Sequence, residues 1–451
     1  MEDSVKQTND MTQGKPIKVI LLFAIPLFFG NIFQQLYNLA DIAIVGHYVG
    51  DQALAAVGAT GSLFGLYFGL VFGIPSGFSV VIARFFGAKQ MDKLKKAVAM
   101  SILISVATSI ILAVVGIVSV GPLLKLLNTP DSIFEAAKGY ISILILGIFI
   151  TMAYNVLNGI LRAVGNTVMP LVFLVISSLL NVFLDIFFVS TLKMGVNGAA
   201  YATVIAQLFS VGLCIVYIVR KCGFLKLSKD DFALDYLLLK ELFSSGMSMG
   251  IMFAIVSIGS VALQSAINEF GEITIAAHIS ARKFVESMMM PLSTLSMSAS
   301  TFASQNFGAK KFDRIKKGIL TTLLLAAVWS GVVNVLGLLF SKQIVYLISG
   351  STNEILVKTA SLYIKTNVPF FFILIVLLIL RMTLQGIGRK LVPIIASITE
   401  VTGKFLSVFF LVPILGYLGV CLTEPITWIV GAIIVGVEFQ RFNKMLLEDS
   451  D

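Results

Sequence analysis

The sequence predicts an all-α polytopic membrane protein: twelve transmembrane helices in two six-helix lobes, the second repeating the first in parallel. Three observations predict it. First, the 451 residues are 57% hydrophobic and only 13% charged, with 35 Phe, whereas a soluble domain carries about 25% charged residues. Second, apolar runs of about 20 residues recur along the chain, each able to cross roughly 30 Å of hydrocarbon as a helix. Third, Phe86-Gly87-Ala88-Lys89 returns as Phe307-Gly308-Ala309-Lys310. Asp92, Lys95 and Lys96 follow suit as Asp313, Lys316 and Lys317, all offset by 221.

The expected spans of the first lobe are 17–40, 53–82, 97–121, 135–160, 168–190 and 197–219. Those of the second are 241–264, 272–302, 316–340, 356–381, 391–412 and 418–439. Without water in the hydrocarbon, each span must pair its backbone internally, which makes it a helix. The polar opening and the length of the first apolar run argue against a cleaved signal peptide, so the first span is read as retained. The expected organisation is a tail over 1–16, a first lobe over 17–219, a linker over 220–240, a second lobe over 241–440 and a tail over 441–451.

Further anchors extend the repeat. Leu161-Arg162-Ala163-Val164-Gly165 with Pro170 matches Leu384-Gln385-Gly386-Ile387-Gly388 with Pro393. Gly195 and Gly198 match Gly416 and Gly419, and Ala55-Ala56 matches Ala276-Ala277. Six is an even number, so both halves start on the same side of the membrane. Parallel repeats of this kind place a cavity between two lobes.

The net charge of +9 is not a nucleic-acid footprint. If the N-terminus faces the cytoplasm, 23 of the 33 Lys and Arg residues fall in inward loops and tails. Lys89, Lys95, Lys96, Lys310, Lys316 and Lys317 are among them. Outward loops hold only five: Lys125, Lys138, Lys193, Lys342 and Lys358. That bias puts both termini inside and reads 84–96 and 310–317 as loops held inward by charge. Cys214, Cys222 and Cys421, with His47 and His278, have no metal-ligand spacing, so no zinc centre is expected. Nor is there an enzyme motif: no His/Glu metal signature and no nucleophile elbow.

Polar groups inside the spans carry the chemistry, because an ionisable residue at mid-membrane costs about 2.5–3.5 kcal/mol on insertion scales. The first helix carries Asn31, Gln34, Asn38 and Asp41 on one face, with Tyr37 one turn before Asp41 and Pro26 earlier. That proline removes a helix hydrogen bond and permits a bend. The fifth helix carries Asn181 and Asp185 at i, i+4, the fourth Asn155 and Asn158, and the sixth Thr203. No Lys or Arg lies at comparable depth in the first six spans. Burial and mutual repulsion disfavour the charged form of both carboxylates, a set that suits a small cation or proton exchange. For the amides alone, helix–helix hydrogen bonding is the competing reading.

The second half differs. Val408 and Lys404 replace Asp185 and Asn181, and its charges come as i, i+4 pairs, Arg282 with Glu286 and Glu400 with Lys404, which neutralise each other or form a charged substrate-facing wall. Glu424 is unpaired in sequence, with Arg381 as a candidate partner. Met288, Met289 and Met290 read as apolar packing or as an adaptable pocket.

These features together resemble the multidrug and toxic compound extrusion family over residues 15–445. The carriers are Pro26 with Asp41, the loops at 87–89 and 308–310, Leu161 to Gly165, Asn181 with Asp185, and Gly198-Ala199-Ala200 through Thr203. The resemblance implies a V-shaped, alternating-access antiporter that exports amphipathic, often cationic compounds in exchange for H+ or Na+. It implies no cofactor and a multi-pass monomer of the plasma (inner) membrane, whose partners are its substrates and the lipid bilayer. The family's cation site maps onto Asp41, Asn181, Asp185 and Thr203, with Tyr37 and Asn158 nearby, and its bending proline onto Pro26. Glu286, Arg381, Glu400, Lys404 and Glu424 are candidates to face substrate in the second lobe. Some members have a second-lobe cation site on the seventh and tenth helices. Here those positions, near Ile255 and Leu374, are apolar, which places coupling in the first lobe. The runner-up is a flippase for a lipid-linked saccharide precursor, which would require a basic interior.

Overall fold

The computed structural model describes residues 9–127 and 129–448; the outermost parts of the two expected tails, Lys6 included, lie outside them. The described residues form helices and no strands. In chain order the first half contains α1 (Pro16–Val49), α2 (Asp51–Gly87), α3 (Met91–Leu126) and α4 (Asp131–Leu146 continued by Ile148–Ala163). It continues with α5 (Val168–Asp185, running into a π-helical turn, Ile186–Thr191) and α6 (Gly195–Lys221). The second half contains α7 (Tyr236–Asn268), α8 (Glu272–Gly308), α9 (Phe312–Ser349) and α10 (Glu354–Asn367 continued by Phe371–Gly386). It ends with α11 (Leu391–Leu406 with a π-helical turn, Ser407–Leu411) and α12 (Tyr417–Glu448).

The repeat is visible in the backbone. Helix starts recur at an offset of 221 for α2/α8 and α3/α9, and of 223 for α4/α10 and α5/α11. Left-handed residues recur too: Lys89 and Lys310 at φ 56° and 57°, Gly165 and Gly388 at 84° and 88°, Gly195 and Gly416 at 61° and 59°. Gly165 has a second reason to be glycine, because a Cβ there would run into the carbonyl of Asn9. The π-helical turns close α5 and α11 in both halves, where the offset slips from 223 back to 221.

Twelve spans are expected. Among the described helices, ten are long and apolar enough to cross a membrane, and α4, bent by 48°, makes eleven. The expected eighth span does form a 37-residue helix, α8, but it is too polar to be counted with them. Its second half is rich in serine, and Ser296, Ser298, Ser300 and Ser304 are buried. Ser298 and Ser304 return their hydroxyls to the carbonyls of Thr294 and Ser300. Ser304 also donates to the Gly386 carbonyl of α10 at 3.0 Å, so part of this polar face is satisfied within its own lobe. Conversely, Val114, Val118, Leu324, Val328 and Phe409 are at least 60% exposed, the faces an apolar bilayer covers.

The chain divides into two compact units, Leu21–Ala254 with the residues up to Met11, and Thr12–Ile20 with Ile255 onward. The division falls inside α7. The first half of α7 packs on α2 through facing small residues, Gly69, Gly73 and Gly77 against Gly246, Gly250 and Ala254. A Cβ on Gly73 would lie 2.6 Å from the Gly250 Cα, and one on Gly69 3.1 Å from the Ala254 Cα. Small residues at four-residue spacing let membrane helices approach until their backbones touch. Arg84 and Glu241 close the end of this seam at 2.6 Å. Gly73→Val is expected to lower stability by about 1–3 kcal/mol through overpacking, read as a lower melting temperature in detergent.

The polar 220–240 segment contains two short 3-10 helices, Gly223–Leu225 and Lys229–Phe232, with Phe224 and Leu225 buried in the first unit. Ser228 caps the second: its N–H and hydroxyl both donate to an Asp231 carboxylate oxygen, at 2.7 and 2.8 Å. Those two bonds hold the Asp231 carboxyl below its usual range. A depressed carboxyl stabilises above its unfolded value near 3.9, and that contribution disappears as pH falls through the folded value. Ser228→Ala should cost about 1 kcal/mol locally, seen as faster amide exchange at Ser228 and Asp231. In the second unit, Lys311 donates to the Thr12 carbonyl at 2.9 Å and Arg314 to those of Gln13 and Gly14 at 2.6 Å.

Candidate functional site

The first lobe encloses a cavity of about 600 Å³. One wall is the polar stripe of α1, with Pro26, Asn31, Gln34, Tyr37, Asn38 and Asp41 all lining it. The opposite walls bring Thr60 of α2, Tyr140, Tyr154, Asn155, Asn158 and Arg162 of α4, and Thr203 and Gln207 of α6. Pro26 and Asp41 are 15 residues apart, so the cavity follows α1 for roughly 22 Å at 1.5 Å per residue.

At one end, four expected residues meet. The Tyr37 hydroxyl donates to Thr203 Oγ1 at 3.3 Å, and the carboxyl groups of Asp41 and Asp185 lie within hydrogen-bonding reach of each other. Asp185 and Asn181 are fully buried behind the cavity wall, one turn apart on α5. Asp41 Oδ1, both Asp185 oxygens and both polar atoms of the Asn181 amide are buried without a partner. Two carboxylates are both acceptors, so their contact becomes a bond only when something positive stands between them. A proton on one oxygen, or a small hard cation held by oxygens, fits that chemistry. Among the described residues no group of three or more His, Cys, Asp or Glu forms a metal cluster.

Asn158 does not join this group. It lines the same cavity, but its contacts are Tyr154 and the Cys214 thiol, at 3.9 Å. Pro26 sits towards the other end. The Phe23 carbonyl, one turn before it, accepts a hydrogen bond from Thr167 Oγ1 at 3.0 Å, so a side chain supports the backbone where proline interrupts the ladder.

Thr60, Tyr140, Tyr154 and Gln207 escaped the sequence reading, and Arg162 was noted there only as part of the repeat and of the charge count. Tyr140 stands close enough to interact with both Asp41 and Asp185; the available signal was its repeat partner, Tyr363. Arg162, one of the 23 inward-side lysines and arginines of that count, lines the cavity. It lies at the last turn of α4, and its long side chain reaches back to the wall. The cavity thus has the Asp41 carboxyl on one wall, with Asp185 buried behind it, and a guanidinium on another.

In the second lobe both i, i+4 pairs are formed: Arg282 with Glu286 at 2.6 Å and Lys404 with Glu400 at 3.7 Å. Arg381 pairs with Glu400 at 3.2 Å rather than with Glu424. Glu424 instead takes Lys404 at 3.9 Å and the Tyr363 hydroxyl at 3.0 Å. Arg381 and Lys404 are therefore matched by carboxylates and do not make the basic interior a pyrophosphate-lipid flippase would need. Leu374 is buried in the apolar core of this lobe with Phe371 and Trp428. Met288 and Met289 pack against the same core, and the Met288 carbonyl accepts from Trp329 Nε1 at 2.9 Å.

Comparison with known proteins agrees with this architecture. The MatE family model matches twice, over residues 26–187 and 249–410. The probable multidrug resistance protein YoeA of Bacillus subtilis is 28% identical over 452 residues, 96% of each chain. A crystal structure of MATE in the bent conformation superposes with a TM-score of 0.91 at 25% identity, covering 99% of both chains. The straight conformation gives 0.87, over 98% of this chain and 99% of that one. The chain belongs to the MatE family, the multidrug and toxic compound extrusion transporters.

Proposed function

We propose that this multidrug transporter is an antiporter that exports amphipathic, cationic compounds in exchange for H+ or Na+, with Asp41 and Asp185 as the coupling site. The observation that carries the reading is the buried carboxylate pair beside a 600 Å³ cavity, three of its four oxygens buried without a partner. Asn181, Thr203 and Tyr37 complete an oxygen-rich shell for the exchanging cation, and Tyr140 closes it. Asn158 belongs to the drug-facing wall.

The physical logic is competition. An unneutralised pair repels and pushes α1 from α5; a proton or Na+ draws them together and removes the negative charge that attracts a cationic drug. Pro26 lets α1 change course without breaking the rest of its ladder. A ligand moves the equilibrium only by its differential affinity for the two arrangements, so drug and cation drive one another. The lysine and arginine bias supports cytoplasmic termini, in a protein read as a monomer of the plasma membrane. Glu286, 58% exposed in its side chain, is the second-lobe charge best placed to meet substrate.

The test is ethidium efflux from liposomes containing purified protein, with proton and sodium gradients imposed separately. Efflux driven by one gradient establishes the exchange and identifies the ion. No efflux under either gradient from folded protein sinks the reading.

A further inference from the structure

The repeat register gives five first-lobe residues of α4, α5 and α6 a polar counterpart, while Asp185 itself falls on Val408. At the offset of α4/α10 and α5/α11, Tyr140, Asn158, Ser177 and Asn181 correspond to Tyr363, Arg381, Glu400 and Lys404. At the offset of the Gly195/Gly416 anchor, Thr203 corresponds to Glu424. Five neutral side chains in one lobe are thus a tyrosine, two cations and two carboxylates in the other. The four charged side chains are 4–16% exposed, and they bond to one another.

Lys404 is the centre of that set. It stands where the first lobe has the Asn181 amide without partners, and its Nζ lies 3.7 Å from Glu400 and 3.9 Å from Glu424. Arg381 takes the other oxygen of Glu400 at 3.2 Å, and Tyr363 donates to the other oxygen of Glu424 at 3.0 Å. Arg282, which interacts with Glu424 and Tyr363, is itself paired with Glu286. His278 contacts Tyr363 and Tyr417. The two carboxylates of this pocket are balanced by two fixed cations.

We propose that the second lobe contains a counterpart of the cation site that is filled from within: the Lys404 ammonium is a tethered monovalent cation held by Glu400 and Glu424. An exchangeable ion binds α1 to α5 in the first lobe, whereas a covalently attached one binds α11 to α12 in the second. Cation exchange is thereby confined to one lobe, and the second keeps its helices joined throughout the cycle. The inference rests on reading Asp41 and Asp185 as a cation site, and its test is built on protein in which both are already asparagine.

In that Asp41→Asn/Asp185→Asn background, Lys404→Ala removes the internal cation and leaves Glu400 and Glu424 facing the space. The melting temperature is measured in detergent while choline chloride is replaced, at constant ionic strength, by sodium chloride or ethylammonium chloride. Ethylammonium restores the ammonium and part of the deleted stem. The background protein should be indifferent to the exchange, whereas the Lys404→Ala protein should gain several degrees in a saturable way with sodium or ethylammonium. Adding Glu400→Gln and Glu424→Gln should abolish that gain. A flat response, or a gain that survives loss of both glutamates, overturns the assignment. If Lys404→Ala aggregates, purification in ethylammonium decides: monodisperse protein there but not in choline supports a vacated cation site, and aggregation in both overturns it. The sodium response of the unaltered chain against Asp41→Asn separately reports on the first-lobe site, so the two failures are distinguishable.

Discussion

Asp41→Asn and Asp185→Asn are each expected to abolish coupling while leaving a folded transporter that still binds drug. The amide is nearly isosteric with the carboxyl and removes the charge that a proton or Na+ must neutralise. In a coupled antiporter, cation changes drug affinity by a factor of about 5–150, and drug changes cation affinity by the same factor. In either variant that ratio should collapse to about one, measured as ethidium affinity with and without the coupling ion. Gradient-driven efflux should fall to the passive leak. Thr203→Val tests the next layer: it removes the acceptor of the Tyr37 hydroxyl at 3.3 Å without changing charge. Cation affinity should weaken by less than in the carboxyl variants. A wild-type coupling ratio in both Asp variants would reject the site.

Lys404→Ala in the otherwise unaltered chain is the second large effect. Removing one partner of a buried ion pair strands an uncompensated charge and costs about 3–5 kcal/mol. Lys404 faces two carboxylates, so its loss leaves the pocket with a net negative charge. Lys404→Arg keeps the charge and should retain most of the stability, limited by the fit of a planar guanidinium beside Gly259, where a Cβ would meet the Lys404 stem at 3.0 Å. The check is a denaturation series in choline chloride. Equal stability of Lys404→Ala and the parent would show that the ammonium contributes nothing.

The first-lobe carboxylates were readable from sequence because the membrane makes charge conspicuous: an acid amid apolar residues has few structural excuses. Tyr140 and Arg162 were not. A tyrosine is unremarked in an apolar helix, and an arginine at a helix end looks like a loop residue until the cavity is seen to reach it. Glu424 shows a third limit. Sequence pairs neighbours at i, i+4, and so links Glu400 with Lys404, but the choice between Arg381 and Lys404 as its partner depends on how three helices face one another. The eighth span shows a fourth, since hydropathy cannot tell a helix that buries its serines against its own lobe from one too polar to cross.

By itself the sequence determined the helices, their twofold repetition, the register between the halves and the presence of two acids in the first lobe. All of these follow from local hydrophobicity and from residue identity at fixed spacing. Only the tertiary structure decided that the two acids share one site, that Asn158 stands apart from it, that the first half of α7 packs with the first lobe, and that Lys404 lies between two glutamates. These are contacts between residues distant in the chain, set by which helix faces meet. Pairwise side-chain packing, not local propensity, selects those faces.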